Sequence, residues 1–171
     1  MFMINNKQNY LKSIMTDLAF TPLKLLANTA EDLSILSTQL QDGLLSLTSL
    51  EYDSENKRVT GLVNRFCWEH AHEHKHLGTY YRVHSGFCIH HVESMHLQGF
   101  HQASKQRLFN LLSLSISEDL ILTMVCSGNH SVKLKLTDLY FQLADLDQPW
   151  PTPNKPKHLH EHLEELDQRI A

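Results

Sequence analysis

From Gly43 onward the apolar residues recur at every second position, and no other feature restricts the possible folds as much. A strand points successive side chains to opposite faces, so a period of two means a sheet with one face buried. Leu44–Tyr52 and Arg58–Glu69 carry this alternation and flank the polar turn "DSENK", the pattern of a hairpin. Tyr81, Val83, Phe87 and Ile89 share one strand face. In Arg107–Ile116 the alternation places Leu108, Leu112, Leu114 and Ile116 together. Two further apolar strands meet at Gly128-Asn129, a tight-turn dipeptide, with Val132, Leu134 and Leu136 facing in and Lys133 and Lys135 facing out. At Asp138 the phase slips to Leu139, Phe141 and Leu143, which predicts a bulge that bends the strand. "QPWPTPNKPKH" has too many prolines for a sheet interior, so it is expected to run extended over the surface with Trp150 tucked in.

Ahead of the alternating region the period is helical. Thr29 is a good N-cap with Asp32 three residues on, Leu33, Leu36 and Leu40 form one stripe, and Gly43 is a natural stop. These signals predict a helix over about 30–42, preceded by a short edge strand in Pro22–Ala27. The ending "HLHEHLEELDQRIA" spaces Leu159, Leu163, Leu166 and Ile170 as a heptad-like seam on a short helix. There is no βαβ rhythm. The fold class expected is α+β: a strongly bent, mostly antiparallel sheet of about six to seven strands, with the N-terminal helix on its concave face and a short C-terminal helix. Residues 1–20 read as a flexible extension, with Met1 or Met15 as the start, 21–158 as one domain, and 159–171 as a helical tail.

Composition narrows the function. The net charge is −4 with histidine neutral, and the 15 lysines and arginines are scattered, which disfavours a nucleic-acid partner. No apolar run is long enough to cross a membrane, and the start lacks a secretory h-region, so the expectation is a cytoplasmic protein. Cys67, Cys88 and Cys126 form no CxxC pair and read as small buried hydrophobes in a reducing compartment. A GxSxG elbow, a phosphate loop and HExxH are all absent. Cys88 and His90 read as a chance pairing of strand residues on opposite faces.

Two stretches carry candidate chemistry. Asn64, Phe66 and Trp68 share one face of an alternating strand, with Arg65 and Cys67 on the other. A polar residue beside two aromatics must be hydrogen-bonded, so it reads either as a structural bond that fixes a bulge or a neighbouring loop, or as a ligand pocket anchored by Asn64 or Arg65, walled by Trp68 and flanked by Glu69. The second stretch is "HAHEHKH", part of a chain with 13 histidines. His70/His74 and His72/His76 have the i,i+4 spacing that lets two imidazoles hold one ion, with Glu69, Glu73 or His84 as the third ligand. The simpler reading is a surface loop with adventitious affinity for zinc, nickel or copper and no dedicated cofactor.

The segments "EDLSILSTQLQD" (Glu31–Asp42), "NRFCWE" (Asn64–Glu69), "LLSL" (Leu111–Leu114) and "LADLDQPWPTPNKPKH" (Leu143–His158) resemble, in this order, an uncharacterised and mainly alphaproteobacterial family, domain of unknown function 2948. The resemblance covers roughly residues 21–158. It implies a single cytoplasmic domain without assigned activity or catalytic residues, and it places the histidine run in a variable loop. The reading that follows is a non-enzymatic bacterial domain binding an unknown protein or small-molecule partner, with neither nucleic acid nor membrane as partner. Homodimerisation through the C-terminal helix is a further expectation. The alternative is a metal-binding or metal-dependent protein using His70, His72, His74 and His76.

Overall fold

The structure is a computed structural model, and it describes residues 20–71, 79–101 and 106–156. In chain order the elements are β1 (Lys24–Ala27), α1 (Ala30–Leu40), β2 (Gly43–Ser46), β3 (Glu51–Asp53), β4 (Arg58–Phe66), β5 (Tyr80–Ile89), β6 (Val92–Gln98), β7 (Leu108–Ile116), β8 (Ile121–Cys126), β9 (His130–Leu136), β10 (Phe141–Asp145) and β11 (Trp150–Thr152). Short 3-10 turns occupy Leu47–Ser49 and Trp68–His70. The expected C-terminal helix and the N-terminal extension lie outside the described residues. No helix among the described residues is long and apolar enough to cross a membrane.

Helix α1 forms for the reasons its sequence suggests. The Thr29 hydroxyl accepts from the Asp32 N–H at 3.1 Å, and the Asp32 carboxylate accepts from the Thr29 N–H at 3.2 Å, closing a capping box. Glu31 and Asp32 sit in the first turn, where the helix dipole favours anions. Leu33, Leu36 and Leu40 are buried. The stop differs from expectation: Asp42, not Gly43, takes the left-handed conformation, at φ 59°. Gly43 instead opens β2, where a Cβ would lie 2.7 Å from the Val63 side chain and 2.8 Å from the Leu40 carbonyl.

The strands join into one antiparallel sheet in the order β1-β10-β5-β4-β2-β7-β8-β9-β6, with β11 beside β5 and β3 beside β4. The expectation of about six to seven strands was too low, because eleven are present among the described residues. The physical reason is that several predicted strands are broken. Leu44–Tyr52 divides where Ser46 Oγ accepts from the Thr48 N–H and Ser49 Oγ donates to the Ser46 carbonyl, local bonds that displace the ladder. β6 went unpredicted, since its burial does not alternate: Val92 is buried, Met95 half-buried and the other five residues exposed. The phase slip at Asp138 is no bulge: the chain leaves β9 at Leu136 and enters a different part of the sheet as β10. The prolines fare as expected in part, since Pro151 is accommodated in β11, which pairs with β5 alone.

The connectivity curls the sheet. Between β5 and β6 lie only His90 and His91, yet five strands separate the two in the sheet. In a flat sheet that separation is roughly 29 Å at ~4.8 Å per spacing. Ile89 to Val92 spans at most ~11 Å. The two ends must therefore approach each other. The Val92 N–H donates to the Lys57 carbonyl at 2.8 Å and Tyr52 Oη to the Glu93 carbonyl at 2.8 Å, joining β6 to the β3–β4 turn without a ladder. The sheet thus stays open while wrapping one core, which takes Leu33, Leu36 and Leu40 from the helix and the inward residues of both halves of the sheet.

In β7 the face assignment needs correction. Phe109, Leu111 and Leu114 are buried, whereas Leu108 and Leu112 are exposed. A register shift between Leu111 and Ser113 reverses the phase, which simple alternation does not foresee. Beyond the end of β2 the Leu114 N–H finds Ser37 Oγ at 2.8 Å, so α1 satisfies a donor that β2 leaves open.

Candidate functional site

The predicted cluster at 64–69 divides between structure and surface. In β4 the inward positions are Val59, Gly61, Val63 and Arg65. Arg65 is fully buried, and each of its five N–H donors has an acceptor. Nε and Nη2 grip Asp145 at 3.1 and 2.8 Å, Nη1 and Nη2 grip Glu69 at 2.9 and 2.8 Å, and Nη1 also reaches the Phe66 carbonyl at 3.4 Å. Asp145 is equally well served, because Ser85 Oγ donates to it at 2.6 Å and the Leu23 N–H at 2.8 Å. Burial alone would lower the Arg65 pKa, but the bonds to Glu69 and Asp145 hold it above its ordinary value. Burial would likewise raise Asp145 and Glu69, yet Arg65 keeps both carboxyls below the usual range. The guanidinium spends its whole donor capacity on the protein itself.

Trp68 does not lie on the strand. β4 ends at Phe66, and the 3-10 turn brings the Trp68 ring back to 4.6 Å from Phe66. Its Nε1 donates to the Gln41 carbonyl at 3.0 Å. Arg82 Nη1 donates to the Asp42 carbonyl at 3.2 Å and to the Asn64 carbonyl at 2.9 Å, with its guanidinium 5.6 Å from the Phe66 ring. The "LQD" helix end and the "NRFCWE" run, distant in sequence, are therefore clasped together. The "LADLDQPW" run joins them: Asp145 meets Arg65, Asp147 Oδ2 lies 2.6 Å from His84 Nδ1, and Trp150 lies 4.4 Å from the His84 ring. Asn64 faces outward and is half-buried, in register with His84.

The metal reading finds no support among the described residues. No group of three or more His, Cys, Asp or Glu there could hold an ion. His70 stands in the 3-10 turn with its ring 6.3 Å from Phe20. His72, His74 and His76 lie outside the described residues.

What sequence reasoning missed is the outer face of β1, β10, β5 and β4. A groove of about 850 Å³ opens there. Its floor is Gly86 and Ala144, which are cross-strand partners. Leu26, Leu62 and Leu146 stand around it at 45, 51 and 59 % exposure. Lys24, Glu51 and Gln142 supply polar groups at its margin. Cys88 also lines it, with Sγ 3.3 Å from His90 Nε2. That contact corrects the expected chance pairing, since residues two apart on a strand share a face. The other two thiols are sealed in the core, and burial pushes Cys67 up to about 12 and Cys126 up to about 11. The signal available in the sequence was glycine at an outward strand position, where nothing in the core requires it.

Among known families, the model for a protein of unknown function, DUF2948, matches residues 23–158. No curated protein and no solved structure matches the chain.

Proposed function

We propose, for a chain that belongs to the DUF2948 family, that it is a non-enzymatic domain of the bacterial cytoplasm and that it binds a small molecule with an apolar body and a polar end. The observation that carries this is the outer-face groove, in which three exposed leucines surround a floor of Gly86 and Ala144. Its volume falls inside the ~300–1,000 Å³ range of small-molecule sites. Apolar walls with a few polar groups at the margin fit a ligand held by burial and oriented by Lys24, Glu51 or Gln142. Three free thiols suit a reducing interior.

The Arg65 cluster has a different role in this reading: it fixes the strands behind the groove. β10 and β5 supply Asp145 and Ser85 to Arg65 of β4, and those same strands present Ala144, Gly86 and Leu62 outward. The test is binding of anilinonaphthalene sulfonate to the folded protein. Gly86→Leu fills the floor, where an added Cβ meets only the flexible Leu146 side chain at 3.3 Å. Folded Gly86→Leu protein is expected to lose the dye signal. Undiminished binding by that variant, or an absence of binding by the wild type, refutes the proposal.

A further inference from the structure

Cys88 stands at the groove with His90 beside it, for a reason the apolar walls do not explain. Both lie on the outward side of β5 and its extension, and Sγ approaches Nε2 to 3.3 Å. The imidazole is itself positioned. Tyr140 meets the ring edge-on at 5.3 Å and the His90 N–H donates to the Tyr140 carbonyl at 3.0 Å, while Gln142 Oε1, 3.3 Å from Nε2, can accept from that nitrogen once it carries the proton. A nucleophile within hydrogen-bond reach of a base, with the base held by further groups, is the arrangement that activates a thiol. Of the three cysteines, Cys88 alone is partly exposed. Burial raises its pKa, with Arg58 opposing, so the thiol rests protonated and needs a base to react.

We infer that Cys88, with His90 as its base, is a covalent acceptor for an apolar acyl group delivered as a thioester, with the acyl chain lying in the adjoining groove. The inference rests on the groove being the ligand site. The step balances without an oxidant. His90 Nε2 takes the thiol proton, and Sγ adds to the carbonyl carbon. The bond from that carbon to the leaving sulfur breaks, and the imidazolium returns the proton to the departing thiolate. One thioester is exchanged for another, and one free thiol is released. The acyl chain passes from Cys88 over Gly86 and Ala144, between Leu62 and Leu26. Register supports this path, since Leu62, Gly86 and Ala144 lie opposite one another on three adjacent strands, and Cys88 is the next outward residue after Gly86.

The experiment incubates the whole protein with the octanoyl thioester of N-acetylcysteamine and follows intact mass, hydroxylamine lability and peptide mapping. One acyl group per chain is expected, on Cys88. Cys88→Ser should take up none. His90→Gln should acylate about a hundredfold more slowly, the usual weight of a positioned base. Gly86→Leu should slow the transfer by blocking the chain's path. Dye binding with Cys88 left unmodified overturns the acceptor role and leaves the groove reading standing. Acylation that is indifferent to His90→Gln or to Gly86→Leu also overturns it, because Cys88 would then be an ordinary accessible thiol.

Discussion

Replacing Asp145 by Asn tests the buried ion cluster most directly. The carboxylate accepts two bonds from Arg65, one from Ser85 and one from Leu23, and its side chain is wholly inaccessible. An amide of the same shape turns its donor toward two existing donors, whichever way it is oriented, and leaves Arg65 buried with a single anionic partner. Removing one member of a buried pair costs about 3–5 kcal/mol. For a chain of this length that corresponds to a fall in Tm of roughly 6–20 °C. Glu69→Gln is the internal standard. Its side chain is 31 % exposed, so water can reach the site, and the loss should be nearer about 1–2 kcal/mol. Arg65→Met combined with Asp145→Leu should cost less than the two single changes added, because an apolar pair leaves no charge stranded. Urea unfolding followed by circular dichroism measures the wild type and these five variants, with an unchanged m-value required for the comparison. An Asp145→Asn loss below about 1 kcal/mol, or one smaller than that of Glu69→Gln, would refute the claim that this cluster ties β4, β5 and β10 together.

Four other outcomes follow from the structure. Gly61→Ala should destabilise by about 1–3 kcal/mol in urea titration, since the new Cβ would lie 2.3 Å from Phe87 Cζ; Phe87→Leu in the same chain should recover most of that loss. Thr29→Ala removes the capping box and should cost about 1 kcal/mol, with Thr29→Ser close to neutral in the same assay. Asp145 and Glu69 both have folded pKa values below their unfolded ones, so their contribution is complete above pH ~4.3 and is lost as the pH falls through the folded values; stability measured against pH should drop below about pH 4, less steeply in Asp145→Asn. At the alkaline end the sign reverses, because Cys67 and Cys126 keep their protons when folded, so stability should fall as the pH rises past about 8.5.

Much of the fold could be read from the period of the apolar residues. The capped helix, the Gly128-Asn129 turn with positive φ at both residues, and the inward faces of β5 and β9 all follow from local chemistry. Pairing does not. Beyond Ile89 the alternation lapses, with Val92 the one buried residue of β6, while the chain crosses from one part of the sheet to its far edge. The positive φ of His91 marks that passage, and histidine is no strong signal for it. The bulge in β7 escapes for a similar reason: Leu112 and Leu114 are identical residues on opposite faces, and only the partner strand reveals the inserted step.

The candidate site was half legible, and phase explains which half. Asn64 drew notice as a polar residue beside aromatics, but Asn64 faces outward, and Phe66 is buried there because Trp68 and Tyr80 close over it. The polar residue in the core phase of β4 was Arg65, following Val59 and Val63. Ser85 holds the same place in β5 between Val83 and Phe87, and Asp145 in β10 after Phe141 and Leu143. A polar group at a core position must find a partner, and a buried cation must find an anion. One arginine, one aspartate and one serine in inward phase on three strands are therefore mutually constraining. Once all three are assigned to the interior, the pairing of β4, β5 and β10 follows from charge and hydrogen-bond capacity, without reference to propensity. The groove is the outward consequence of that pairing, since the residues opposite the cluster are small ones.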